Sequence, residues 1–176
     1  IRSPHTVTID AAVTIDQVTV NQGGTVIHSA SGGTGTVTIN DGTGTDLTIN
    51  GTWTRTSTSF AISLSGSATI AIGSTGVYEH AIGGAGGSIP TATWDPNSIL
   101  RLKYSVNTTS APSNLGQTFG KFEIDCPNQT SANVTITPSN VATELRVTNT
   151  NSGSFEFQSL AITGNYIQTG GTAKIM

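Results

Sequence analysis

Glu123 and Asp125 stand two residues apart in the run Phe119 to Cys126, whose alternate positions include Phe122, Ile124 and Cys126. On a strand both carboxylates point to one face, about 7 Å apart. Oxygen ligands shown in that way suit a hard cation, and calcium is the cation such a pair would take. The competing reading is a solvated strand face, because calcium gathers more oxygens than two carboxylates supply and no third acid is close in sequence. Asp10 and Asp16 end two successive alternating runs. Stacked on neighbouring turns they would form the carboxylate pair that glycoside hydrolysis needs, whereas Asp after a strand is also an ordinary turn former. Trp94, with Asp95 and Asn97 beside it, offers a ring face and polar groups that suit a sugar. A large aromatic that plugs a loop is the alternative reading. His5, His28 and His80 lie far apart, and Glu79 beside His80 would face the other side of a strand. Cys126 reads as a buried small hydrophobe, and no Ser or Cys stands in a nucleophile motif.

These side chains belong to a chain of 176 residues in which only 10% are charged and the net charge is -3. No run of Lys or Arg supplies the electrostatic footprint that nucleic acid requires. A single cysteine excludes an intrachain disulfide and any multi-thiolate metal site. No apolar stretch of about 18 residues predicts insertion in a membrane. The composition, rich in Thr, Ser, Gly and Asn, is that of strands and turns.

Apolar and polar residues alternate in short runs from end to end. Val7/Ile9, Val13/Ile15, Val18/Val20, Val37/Ile39, Leu47/Ile49, Ile62/Leu64 and Ile70/Ile72 each mark a strand with one buried face. Turn residues such as Asn40-Asp41-Gly42, Asn50-Gly51 and Ser65-Gly66 divide them. Strand spacing alone suits a sandwich, a barrel or a solenoid. Very short strands and loops, few hairpin signals and imprecise repetition favour the solenoid. Coils of about 20 to 24 residues would give roughly eight, stacked at about 4.8 Å into a rod about 40 Å long. The expectation is one all-β segment over 1–176, a piece of a longer protein, with loop excursions near 83–97 and 107–116.

His5-Thr6-Val7-Thr8-Ile9-Asp10 followed by Ala12 to Val20 resembles the first coils of large secreted Bacteroidota cell-surface proteins. So do Pro90 to Trp94 with Asn97-Ser98, Leu115 to Phe122, Cys126 to Thr130 and the closing Leu160 to Gly171. The resemblance implies a parallel β-helix stalk or repeat region of a long exported protein. Uniform repetition without a catalytic constellation makes the leading expectation a right-handed parallel β-helix, extracellular or at the cell surface, acting as a non-catalytic adhesin-type structural solenoid. The alternative is a carbohydrate-binding module that holds a surface polysaccharide or glycan at Trp94, Asp95 and Asn97. A polysaccharide lyase, or an ice-binding array built from the pairs Thr6/Thr8, Thr36/Thr38, Thr52/Thr54 and Thr91/Thr93, ranks below both. No cofactor is expected apart from calcium at Glu123 and Asp125. Open sheet edges at solenoid ends would allow end-to-end self-association.

Overall fold

The structure is a computed structural model, and it describes residues 1–29, 35–57, 61–82, 86–104, 107–131 and 133–176. Among them the chain is all-β and forms a parallel β-solenoid of about seven turns. In chain order the strands are β1 (Thr6–Ile9), β2 (Val13–Ile15), β3 (Val18–Val20), β4 (Thr25–His28), β5 (Val37–Ile39), β6 (Leu47–Ile49) and β7 (Thr52–Arg55). Next come β8 (Ile62–Leu64), β9 (Ile70–Ile72), β10 (Val77–His80), β11 (Thr93–Trp94), β12 (Ile99–Leu102) and β13 (Thr118–Asp125). The last are β14 (Val134–Ile136), β15 (Asn140–Asn149), β16 (Ser154–Phe157), β17 (Ala161–Ile162), β18 (Asn165–Gln168) and β19 (Thr172–Ile175).

Every strand pairing is parallel, and each joins a strand to its counterpart one coil away. The long sheet runs β1-β4-β7-β10-β12-β13-β15 and ends on β17 and β18, which both pair with β15. The second wall is β2-β5-β8, the third is β3-β6-β9-β11, and β14-β16-β19 forms a wall of the later coils. Three-residue strands such as Val13–Ile15 and Leu47–Ile49 suffice because β-branched and aliphatic residues fit the pleat and the next coil supplies the hydrogen bonds. Side-chain parity then sorts inside from outside. Val26, Trp53, Tyr78, Leu100, Phe122 and Leu145 stack in register down the interior of the long sheet, all buried. In the later coils the core is aromatic, with Phe119 5.6 Å from Phe122 and Phe122 6.3 Å from Phe157 between ring centres.

Both stretches read as loop excursions also contribute wall. Of 83–97, residues 83–85 lie outside the described residues; further on, Ser88 bridges Ser113 in parallel, Ile89 is buried, and β11 joins the third wall. Within 107–116, Leu115 is buried as well.

The corner that leads into the long sheet fixes how closely the coils stack. The residues just before the aligned stretch of each coil, Gly24, Gly51, Gly76, Ser98, Gly120, Thr143 and Gly164, lie at one corner, with Gly120 and Thr143 inside the longer strands β13 and β15, and five of the seven are glycine. Here the backbone of one coil bonds the corner carbonyl of its neighbour: Thr52 N to Gly24 O at 3.0 Å, Val77 N to Gly51 O at 2.9 Å, Ile99 N to Gly76 O at 2.9 Å. A methyl group at Gly51 would overlap the carbonyl oxygens of Gly24 and Asn21. We expect Gly51→Ala to lower unfolding stability by about 1–3 kcal/mol through forced separation of the coils. Gly116→Ala, whose added carbon would meet only the Ser139 hydroxyl at 3.7 Å, should stay within about 0.5 kcal/mol of the parent. Urea unfolding of both variants checks the contrast.

Candidate functional site

The residues proposed for a sugar site divide between core and turn. Trp94 is 9% exposed, with Phe119 at 5.0 Å and Tyr78 at 6.4 Å, both edge-on, and its indole N–H donates to Gln117 Oε1 at 3.2 Å. A sugar platform needs an open ring face, and this ring fills the interior. Asp95 builds a turn: its carboxylate accepts from Asn97 N at 2.8 Å, and its carbonyl accepts from Ser98 N at 2.9 Å. Asn97 is exposed on that turn.

Asp10 and Asp16 follow β1 and β2, which pair with β4 and β5 in different walls. They occupy two corners of one coil and do not stack, so the expected carboxylate pair is not formed. Cys126 is buried in the core, and burial pushes its thiol up to about 12. Of the threonine pairs, Thr6/Thr8 and Thr52/Thr54 align on the long sheet with Thr25/Ile27 between them, while Thr38 and Thr93 belong to the second and third walls.

Glu123 and Asp125 do share the outer face of β13, as parity requires, and Glu123 there belongs to a ladder of alternating charge. Glu79, Arg101, Glu123 and Arg146 stand in register on β10, β12, β13 and β15. Arg101 donates through Nε to Glu123 at 2.8 Å and through Nη1 to Glu79 at 3.2 Å. Thr148 Oγ1 donates to Glu123 at 3.1 Å, Lys103 lies 3.7 Å from Glu79, and Arg146 Nε bonds Glu144 at 2.6 Å. A calcium ion at Glu123 would compete with Arg101 for the same carboxylate. Among the described residues no cluster of three or more His, Cys, Asp or Glu is gathered for a metal.

Next to this ladder lies a shallow groove of about 350 Å³, lined by Ile99, Lys121, Phe122, Glu123, Glu144, Arg146, Thr148 and Thr169. Lys121 sits opposite Glu144 in register, yet enters no ion pair among the described residues. With Glu123, Glu144 and Arg146 already held by neighbours, the groove can offer hydrogen bonds to a hydroxyl-rich ligand with little ordering of those side chains.

No protein-family model, curated protein or solved structure matches this chain. Its chemistry therefore rests on the solenoid's own geometry.

Inside the long sheet a second polar column runs beside the hydrophobic one. His28, Arg55 and His80 are in register on β4, β7 and β10, point inward, and are 0%, 4% and 0% exposed. Arg55 donates to the carbonyls of Ser88 at 2.7 Å and Ser57 at 3.3 Å. His80 Nε2 bonds the Gly86 carbonyl at 2.8 Å, which fixes the proton on Nε2. Burial, above all, lowers both imidazoles to about 4, and the Arg55 charge adds to it.

Sequence reasoning found neither ladder. The signal that could have shown the inner one is parity: in Thr52-Trp53-Thr54-Arg55 the arginine shares the buried face of Trp53. Coil length hid the alignment, because Thr6 pairs with Thr25 but Thr25 pairs with Thr52.

Trp94→Ala should cost about 3–5 kcal/mol of unfolding stability, as truncation of a packed core aromatic does. Thermal or denaturant unfolding measures it. Arg101→Met leaves Glu79 and Glu123 without the cation between them, and we expect a loss of about 1–3 kcal/mol in low salt. The loss should shrink in about 1 M sodium chloride, where exposed charges are screened.

Proposed function

We propose that this chain is a structural solenoid of an extracellular surface protein, whose work is to form a stiff segment that holds other parts at a distance. The observation that supports this reading most directly is how the side chains are used. Among the described residues the interior of the long sheet stacks in register from Val26 to Leu145, and at the corner before that sheet backbone packs directly on backbone. Most charges of the outer face bind to one another. The exterior of Thr, Ser and Asn keeps strand propensity high while meeting water. The resemblance to secreted Bacteroidota surface proteins agrees with such a role.

A second reading, a carbohydrate-binding module, draws support from the groove beside the charge ladder. Lys121 and Arg146, with Glu123 and Glu144, could hold a saccharide by paired hydrogen bonds, and in this reading the contact lies at that groove rather than at Trp94.

Retention of the purified chain on immobilised polysaccharides, with and without calcium, separates the two when released sugars are assayed in the same mixtures. The structural reading expects neither retention nor release. Retention that is abolished in Lys121→Ala/Arg146→Ala, with the fold intact by circular dichroism, would replace it with the binding module. Released sugar would overturn both.

A further inference from the structure

Acid would meet an unusual arrangement inside the second to fourth coils. The buried guanidinium of Arg55 lies one coil from His28 on one side and one coil from His80 on the other, about 4.8 Å per step along the ladder. The other titratable groups facing this column are phenols: Tyr78, whose ring is 6.5 Å from that of His80, and Tyr104, also at 6.5 Å. Burial raises both phenols, Tyr78 to about 12, so neither supplies a negative charge in acid or at neutral pH. Cys126, next beyond Tyr104 and bonded to its backbone N–H, is likewise held as a thiol. Glu79, the acid nearest in sequence, points outward to Arg101 and Lys103. His80 Nδ1 is buried and has no hydrogen-bond partner among the described residues, so a proton arriving there would find no acceptor in place.

We propose that the His28–Arg55–His80 column is an acid-sensitive joint, in which protonating either imidazole sets a second positive charge beside the buried guanidinium and loosens coils two to four while the later coils stay wound. Local opening is open to a solenoid because each coil is stabilised mainly by its two neighbours. The later coils carry no such column: the register positions beyond His80 are Leu102, Ile124 and Val147, all buried and apolar.

The direction in pH follows from the two states. The folded imidazoles titrate at about 4 and the unfolded ones at 6.5. Between those values the opened chain binds more protons, so stability is full above 6.5, falls as the pH drops, and loses nothing more from these groups below about 4. Asp46, held below the usual carboxylate range by the N–H groups of Thr69 and Gly42, acts only on the acid side of this window.

The test is native-state hydrogen exchange at about pH 7.5 and about pH 5, corrected for intrinsic rates, with an opening constant that should rise up to about tenfold per pH unit for each histidine. Amides of β4, β7 and β10 should lose protection while those of β15 and β16 keep it. His28→Gln and His80→Gln should each flatten the dependence. In the unaltered protein, which serves if a variant fails to fold, both ring resonances should still report neutral imidazoles at about pH 5, where protection is already falling. Loosening that is uniform along the rod overturns the joint, as do unchanged protection at about pH 5, the same pH dependence in folded variants, or folded-state rings that titrate at the ordinary 6.5.

Discussion

A strand of three or four residues cannot hold its shape alone, and in this chain none has to, because each finds its hydrogen-bonding partners one coil away. That parallel registry is the constraint on which the remaining features depend. It requires equivalent positions of successive coils to be superposed even though the coils differ in length, from the step between Thr6 and Thr25 to the longer one between Thr25 and Thr52. The glycine-rich corner before the long sheet makes close superposition feasible, since backbone meets backbone there with no room for a side chain.

Once the register is set, side-chain parity creates columns, and a column turns single residues into arrays. On the outer face this gives the Glu79–Arg101–Glu123–Arg146 ladder, in which each charge is flanked by its opposite. On the inner face it gives His28–Arg55–His80, in which the flanking groups stay neutral because burial and the central charge both oppose protonation. The two ladders meet at β10, where Glu79 and His80 are adjacent in sequence and face opposite sides. A low-charge chain thus places its ionic groups where the neighbouring coil can use them.

Much of the architecture was legible in the sequence because alternation is a local signal. Val13-Thr14-Ile15 and Leu47-Thr48-Ile49 show a buried and a wet face without reference to anything distant. The all-β class and the stacked solenoid follow from such runs. The coil-to-coil alignment did not, because it depends on turn lengths that vary and leave no periodic mark. Asp10 and Asp16, alike in context, therefore looked stackable although they lie at two corners of one coil. Trp94 illustrates a different limit: the polar residues around it suggested a loop tip, while its neighbours in space, Phe119 and Tyr78, come from other coils. The candidate site fared worse than the fold for the same reason, since a site is an alignment of residues from several coils.

The three corners of the early coils are not equivalent. Between the third wall and the long sheet the connection stays at two to four residues, as in Ile49 to Thr52 and Ile72 to Val77. From the long sheet to the second wall it stretches freely, from Ile9 to Val13 in the first coil and from His28 to Val37 in the second. Extra length at the stretching corner leaves the walls on both sides in register; sequence added at the glycine corner would push two coils apart. Such a solenoid can therefore acquire surface decoration along one edge during its evolution, with the opposite edge acting as an unchanging spine.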